Sequence, residues 1–283
     1  YGTFSTASGN GLIIESNYSF NSGEKNEIYG THSLSSGYSN KSYCSTATTS
    51  GRENCTGIKG YYFTAKGDEL TLYADKEHTT LANCGWSVGD VISAGIGGRY
   101  NQATSIKSIN GSKIIVGRSI NLSDYGVGDQ FVYCESKQDI GAAYLGEYST
   151  AIGLQNKSFG RFTTCFGRQN VAPSSYGSAV GWSNRIGFCG FAAGYNNKTN
   201  NEFVFMLGSE NEATSNLSYL VGKGLKSDQA HQFITGQYNA TGSGGIRVTG
   251  YGTSNTARKN VEVLDTSGNL KLAGSLTLDM NGT

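Results

Sequence analysis

Few residues in this chain have types and spacings that would support chemistry. The three histidines share no motif, and no two of the six cysteines have the CxxC spacing of a zinc site. We therefore expect no metal site and no cofactor. A disulfide framework is only weakly indicated, and Cys44 and Cys134, near the two ends of one segment, are the pair that it would join. The remaining cysteines are Cys55, Cys84, Cys165 and Cys189.

Acidic residues offer another route to catalysis. Asp68, Glu69, Asp90 and Asp129 could act as paired glycosidase carboxylates, which need separations of about 5–9 Å. The Gly-Asp steps in SVGD and GVGD are more simply interpreted as turns. The sequence contains no HExxH and no phosphate-binding GxxxxGK[ST] motif. We expect no catalytic residues and predict that the protein is not an enzyme.

Aromatic side chains are the best candidates for binding, because an exposed ring with polar neighbours can stack on a sugar or anchor a protein. Four candidates lie in the middle of the chain, where core packing is the favoured role and binding the alternative. Two others follow a glycine of the repeat described below, where the polar residues Arg168, Ser209 and Lys223 of other repeats indicate solvent. The six candidates are Trp86, Tyr61, Tyr62, Tyr73, Trp182 and Tyr195.

Composition favours short strands and tight turns. The 283 residues include 41 Gly but one Pro, and Gly and Asn tolerate the positive φ of tight turns. Only 15% of residues are charged and the net charge is +1, which does not favour a nucleic-acid partner. No apolar run approaches the roughly 20 residues of a membrane span, so we expect no membrane insertion.

A glycine recurs about every 14 residues in two blocks. In the first block these marker glycines are Gly9, Gly23 and Gly37. In the second they are Gly153, Gly167, Gly181, Gly194, Gly208, Gly222 and Gly236. An asparagine usually follows three residues later, at Asn26, Asn40, Asn156, Asn170, Asn184, Asn197, Asn211 and Asn239. Such a period predicts a solenoid of two short strands per coil, with turns at Gly and Asn.

The two residues before each marker glycine are mostly apolar in the second block. Examples are Ala151-Ile152, Cys165-Phe166 and Met206-Leu207. Because successive strand residues face opposite sides, this pattern predicts strands that are buried on both faces. The first block has polar residues there, such as Asn21-Ser22 and Ser35-Ser36, and this pattern does not by itself predict two-sided burial in that block.

The strings TAIGLQN, TCFGRQN, SAVGWSN, FAAGYNN and FMLGSEN resemble the head repeat of trimeric autotransporter adhesins, which also occurs in bacteriophage tail fibres. The resemblance covers roughly residues 1–43 and 140–240. It implies a left-handed parallel β-roll of 14-residue repeats and a homotrimer in which three rolls pack around a common axis. One strand face would then meet the chain's own interior and the other the neighbouring subunits.

Residues 44–138 interrupt the period between the blocks 1–43 and 139–240. This segment has strand patterns of its own, including SIKSI and KIIV, which are joined by Asn110-Gly111, a strong hairpin signal. We predict an inserted small antiparallel β-barrel or sandwich. Since loops on a rigid scaffold often carry function, the insertion is the first place to look for receptor binding.

Residues 241–283 form a further β-rich segment. Predicted strands are Ile246–Val248, Val261–Leu264, Leu270–Leu272 and Ser275–Leu278, with a hairpin at Thr266-Ser267-Gly268-Asn269. The string ARKNVEVLDTSGNLKLAGSLTL resembles the segment that follows shaft or head domains in many phage tail fibres. This second resemblance favours a phage or prophage origin over an autotransporter.

The sequence thus predicts a trimeric fibre segment that attaches to a cell surface. The first hypothesis is the receptor-binding region of a phage or prophage tail fibre, located in the virion and binding a surface glycan or surface protein. The second is the head of a trimeric autotransporter-type adhesin on a bacterial surface. The third is a glycan-cleaving tailspike, and a passive structural shaft remains a further alternative.

Overall fold

A computed structural model describes residues 3–96, 99–120, 130–141 and 143–274. These described residues form strands and turns and contain no helix, and stacked parallel coils dominate the chain. The predictions of an all-β class and of a β-solenoid are therefore confirmed. The predicted strand Ser275–Leu278 and the residue Asp129 lie outside the described residues.

In most coils a five-residue strand is followed by a two-residue strand. Those of the first block are β1 (Thr6–Asn10), β2 (Ile13–Ile14), β3 (Phe20–Glu24), β4 (Glu27–Ile28), β5 (Leu34–Tyr38), β6 (Lys41–Ser42), β7 (Thr48–Arg52) and β8 (Cys55–Thr56). Those between the blocks are β9 (Ile58–Lys66), β10 (Glu69–Tyr73), β11 (Val91–Ile96), β12 (Arg99–Asn110), β13 (Lys113–Val116), β14 (Gln130–Tyr133) and β15 (Ala143–Leu145).

The second block repeats the pattern of long and short strands. Its strands are β16 (Thr150–Leu154), β17 (Lys157–Ser158), β18 (Thr164–Arg168), β19 (Val171–Ala172), β20 (Ser178–Trp182), β21 (Phe191–Tyr195), β22 (Lys198–Thr199), β23 (Phe205–Ser209), β24 (Glu212–Ala213), β25 (Tyr219–Lys223), β26 (Lys226–Ser227) and β27 (Phe233–Gln237). The chain continues with β28 (Gly245–Tyr251), β29 (Asn260–Asp265) and β30 (Leu270–Leu272).

The long strands form one sheet that runs through both blocks. They pair in parallel from β1 to β28, and the marker glycines lie directly opposite one another. Across the interruption β7 pairs with β16, which places Gly51 opposite Gly153. The ladder therefore continues to Arg52, beyond the predicted boundary at residue 43, and the intervening segment leaves and rejoins the same stack of coils.

The repeating asparagines form a buried hydrogen-bond ladder inside the solenoid. The side-chain Oδ1 of Asn156 accepts hydrogen bonds from the backbone N and the Nδ2 of Asn170, each at 3.1 Å. Nδ2 of Asn170 also donates to the backbone oxygens of Phe166 and Gly181, each at 2.8 Å. Because buried polar groups need partners, this ladder explains why asparagine recurs three residues after the marker glycine.

The inner face of the long-strand sheet is closely packed. The residue two positions before the marker glycine is fully buried in coil after coil, at Ala151, Cys165, Ala179, Ala192, Met206, Leu220 and Ile234. In the first block Asn21, Ser35 and Thr49 take that position, and they too are fully buried. The interior of the first block is therefore more polar than that of the second.

The segment between the blocks forms an antiparallel sheet. Its strands pair in the order β10-β13-β12-β11-β14-β9-β15, and β9 also pairs with β10. Strands β12 and β13 form the hairpin that Asn110-Gly111 predicts, with Asn110 opposite Lys113. All six cysteines are free, so the pairing of Cys44 with Cys134 does not form.

The inserted segment is fixed to the side of the solenoid. Glu135 forms a two-pronged ion pair with Arg185, with Nη1–Oε2 and Nη2–Oε1 distances of 3.0 and 2.6 Å. The hydroxyl of Tyr133 donates to the backbone oxygen of Pro173 at 3.4 Å, and its ring packs edge-on against Phe159. Arg185 lies in the single 13-residue repeat, where it makes isolated parallel bridges to Val171 and Lys198 in place of a two-residue strand.

We expect the Arg185–Glu135 pair to couple the insertion to the solenoid. In a double-mutant cycle of Arg185→Ala and Glu135→Ala, the coupling free energy should be about 1–2 kcal/mol, because the pair is two-pronged and only partly exposed. The more exposed pair Arg161–Glu147 is the matched control and should couple by less than about 1 kcal/mol. Denaturant unfolding measures both, and equal coupling in the two cycles would contradict the expectation.

The chain after residue 240 first extends the ladder and then reverses direction. Strand β28 pairs in parallel with β27 and places Gly250 opposite Gly236. Strands β29 and β30 then add in antiparallel fashion, with a turn in which the backbone N of Asp265 donates to the oxygen of Asn269 at 3.0 Å. The predicted strands to Leu272 and the hairpin at Thr266–Asn269 are thus present.

Candidate binding surface

The outward face of the long-strand sheet is apolar in the second block. We call it the outer apolar face and define it by the residues one and three positions before each marker glycine. Those one position before are Ile152, Phe166, Val180, Ala193, Leu207 and Val221. Those three positions before, where the side chain is aromatic, are Phe191, Phe205, Tyr219 and Phe233. In the single chain this face is not covered, and side chains such as Phe166 (40% exposed) and Phe233 (44%) meet solvent.

Aromatic rings stack in a column on this outer apolar face. The ring centroids are 5.3 Å apart between Phe191 and Phe205, 4.4 Å between Phe205 and Tyr219, and 5.2 Å between Tyr219 and Phe233. The parallel register causes the stacking, because each coil places the same position above its predecessor. The column is therefore an apolar ridge that follows the last four coils of the second block.

The sequence predicted that the long strands are buried on both faces. Within a single chain only the inner face is buried. Positions two before the glycine are buried, whereas positions one before it are exposed or half-buried. Contiguous exposed apolar surface of this kind marks an interaction site in soluble proteins.

Trp182 and Tyr195 are the last residues of the neighbouring strands β20 and β21 and are exposed by 46% and 41%. Their rings meet edge to face with centroids 5.1 Å apart. The guanidinium of Arg168 sits 5.1 Å from the Trp182 ring, and Nε1 of Trp182 donates to Oε1 of Gln169 at 3.0 Å. The structure therefore brings these two sequence-derived candidates together on an accessible surface with polar neighbours.

The four candidates in the insertion are placed differently. Trp86 (5% exposed) and Tyr61 (4%) belong to the core cluster of the insertion, and their rings meet edge to face at 4.8 Å. Tyr62 packs edge-on against Phe131, and Tyr73 lies 4.8 Å from the ring of His78. Core packing, the role favoured for this group, thus describes Trp86 and Tyr61. The four side chains do not form one surface cluster.

Sequence reasoning missed a second set of exposed aromatics, which lies five residues before the marker glycine. Tyr148, Phe162 and Tyr176 stack in one column, with centroids 4.9 and 5.4 Å apart. Phe4 and Tyr18 stack likewise near the start of the chain. All five have positive φ, which large side chains rarely adopt. The 14-residue recurrence of aromatic residues was the signal that could have found them.

The remaining polar candidates form hydrogen bonds and ion pairs with nearby side chains and backbone groups. Asp90 accepts a hydrogen bond from the backbone N of Ser87 at 2.8 Å and pairs with Lys137 at 2.7 Å, so SVGD forms a tied turn. Glu69 pairs with Lys113 across two strands at 2.8 Å. Burial raises the pKa of the Cys44 thiol to about 11 and that of Cys165 to about 12, which keeps both protonated near neutral pH.

The described residues lack a metal-binding cluster and a membrane-spanning helix. In those ranges no group of three His, Cys, Asp or Glu side chains is placed to hold a metal ion. The same part of the chain holds no helix of the length and apolarity that crossing a membrane requires.

Comparison of the chain with known protein families finds no match, and comparison with curated proteins finds no relative.

Proposed function

We propose that this chain is a segment of a homotrimeric fibre that attaches to a cell surface, and specifically the receptor-binding region of a phage or prophage tail fibre. The observation that carries the proposal is the outer apolar face. It follows the second block over seven marker glycines, and with coils about 4.8 Å apart it is roughly 30 Å long. A solenoid that displays such a face is suited to pack lengthwise against copies of itself.

The trimer is favoured over other assemblies by the repeat motif, which resembles that of trimeric fibres. In this proposal each chain is a left-handed roll, the residues two before the marker glycine fill its own interior, and the outer apolar face meets two neighbouring rolls. The first block, with Ser22 and Ser36 on its outer face, would contribute a more polar contact. A rod built in this way holds appendages at fixed positions for attachment.

The segment between the blocks is proposed to be a small antiparallel barrel that stands off this rod. Six strands, β9 to β14, pair in a ring because β9 is hydrogen-bonded to both β14 and β10. Its interior would be the cluster that contains Phe63, Leu72 and Ile92. The ion pair of Glu135 with Arg185 and the packing of Tyr133 would hold the barrel in a fixed position for contact with a receptor.

The assembly is tested by light scattering on the purified protein. Three chains of 30.0 kDa give a mass of about 90 kDa, which is the expected result. Leu207→Asp should return the mass of a single chain, because a carboxylate in the centre of an apolar contact is costly to desolvate. Ser209→Asp, two residues along the same strand, is the matched control and should leave the trimer intact. A wild-type protein that is monomeric at micromolar concentration would overturn the trimer.

Attachment is tested with the fluorescently labelled trimer on a panel of bacterial cells. Saturable binding to a subset of strains is expected for a tail-fibre receptor-binding region. An intact trimer that binds no bacterial cell but binds animal cells or extracellular matrix would favour the adhesin head instead. Binding to no surface at all would identify a passive shaft, and release of oligosaccharides from bacterial polysaccharide would identify a tailspike.

A further inference from the structure

Cationic and aromatic side chains meet along one edge of the solenoid, at the turn that follows each long strand. We call this the edge strip and define it by the two residues after each marker glycine. In the first block the ring of Tyr38 has the ammonium of Lys25 at 5.3 Å and the guanidinium of Arg52 at 5.4 Å. In the last coil of the second block Tyr238 has Lys223 and Arg258, each at 5.9 Å.

The central cluster of the edge strip is the Arg168, Trp182 and Tyr195 group. It lies four coils from the Tyr38 cluster and four coils from the Tyr238 cluster along the ladder. With coils about 4.8 Å apart, the three clusters are spaced by roughly 19 Å. The edge strip therefore presents aromatic rings and cations at regular intervals along the rod.

The guanidinium groups of the three clusters differ in whether they already have a hydrogen-bonded partner. Arg52 forms an ion pair with Glu53 at 2.9 Å, and Lys25 one with Glu24 at 3.4 Å. Arg258 donates to the backbone oxygen of Gly224 at 2.7 Å. Within the part of the chain that the structure describes, no carboxylate lies within ion-pair distance of Arg168. The central cluster is thus the one whose guanidinium is available for an anion.

A chain of amide groups adjoins the central cluster. Nε2 of Gln169 donates to Oε1 of Gln155 at 3.1 Å, and Nε2 of Gln155 donates to Oε2 of Glu53 at 2.8 Å. These bonds run along the edge strip from coil to coil and end at Nε1 of Trp182. They fix the orientation of exposed amide groups that suit the hydroxyl groups of a sugar chain.

We propose that the edge strip binds an extended acidic glycan that carries carboxylate groups, with Trp182 as the stacking platform and Arg168 as the carboxylate contact. This proposal rests on the proposed attachment function. An indole ring stacks on the apolar face of a sugar, and a guanidinium receives a carboxylate through two parallel hydrogen bonds. The regular spacing of the clusters lets one long chain contact the rod at several points, which raises the avidity.

The edge strip remains accessible in the proposed trimer. In other coils the position directly after the marker glycine holds Arg52, Arg168, Ser209, Lys223 and Gln237. Such a column of polar side chains is too costly to bury in a subunit interface that excludes water. The outer apolar face, by contrast, ends at the residue before the marker glycine. The two surfaces are therefore adjacent and chemically distinct.

The test is titration calorimetry of the trimer with polygalacturonate, an acidic uronate polymer, and with dextran, a neutral polymer. We expect binding to polygalacturonate that weakens as salt rises, and little binding to dextran. Trp182→Ala should weaken polygalacturonate binding at least tenfold, and Arg168→Gln should abolish the preference for the acidic polymer. Tyr176→Ala, which removes an exposed ring of the column five residues before the marker glycine and outside the edge strip, is the control and should bind as the wild type does.

Several results would overturn the proposal. Equal affinity for both polymers, no affinity for polygalacturonate, or binding that is unchanged in both variants would each do so. Loss of cell attachment after protease treatment but not after periodate oxidation of the cells would identify a protein ligand and would also overturn it. In each case an intact trimer that still attaches to cells leaves the proposed function standing. Because Trp182 and Arg168 are exposed, we expect both variants to fold. Melting temperatures equal to that of the wild type would show this.

Discussion

Replacing Gly167 by alanine is expected to destabilise the solenoid by about 4 kcal/mol, through backbone strain together with overlap against the next coil. Gly167 has φ +110°, and an added Cβ would lie 2.2 Å from the backbone oxygen of Gly181. That oxygen belongs to the next coil and cannot move without breaking the ladder, because Gly181 faces Gly194 in the same way. The loss should appear as a lower free energy of unfolding in denaturant, measured at one protein concentration because oligomers are stabilised by mass action.

Gly67→Ala is the matched control for this prediction. Gly67 also has positive φ, at +67°, but an added Cβ there would meet no atom within 4 Å. Only the left-handed backbone conformation opposes that substitution, which should cost about 1 kcal/mol. If both variants lost the same stability, the close approach of marker glycines would not be what requires glycine at these positions.

Replacing Asn170 by alanine is expected to cost about 3–5 kcal/mol, since several buried groups lose their partners together. The backbone N and Nδ2 of Asn184 both donate to Oδ1 of Asn170 at 3.1 Å, and the oxygens of Phe166 and Gly181 accept from its Nδ2. Asn170 is fully buried, so water cannot replace these hydrogen bonds. Thermal and denaturant unfolding measure the loss.

An exposed asparagine on the same sheet provides the control. Asn10 lies at the edge strand β1 with its side chain in solvent, and Asn10→Ala should change stability by no more than about 0.5 kcal/mol. Among the described coils, Leu225 interrupts the ladder in the second block, and its backbone N still donates to Oδ1 of Asn211 at 2.9 Å. Asn170→Leu should accordingly cost less than Asn170→Ala, because leucine fills the space even though it cannot extend the ladder. The opposite order would show that lost packing is not the dominant cost of removing Asn170.

The edge position of Trp182 and Tyr195 could be predicted because the repeat aligns them with polar residues of other coils. The sequence favoured core packing for the four aromatic candidates of the insertion but could not show that Trp86 and Tyr61 are the buried ones. Their local patterns do not differ from those of an exposed site, and it is the antiparallel pairing of strands far apart in sequence that surrounds them with the core of the insertion. The ion pair between Glu135 and Arg185 was also beyond prediction, since it joins residues 50 positions apart.

The sequence by itself determined the solenoid, because a 14-residue period with a fixed glycine and asparagine allows each coil to repeat the contacts of its predecessor. Gly167 and Asn170 make this plain: the first permits coils to approach closely, and the second satisfies the buried backbone between them. Only the tertiary structure decided which apolar positions are enclosed by the chain and which remain outside. Ala151 and Ile152 are neighbours of similar chemistry, yet one is fully buried and the other half-exposed, because burial depends on what the rest of the fold places against each face.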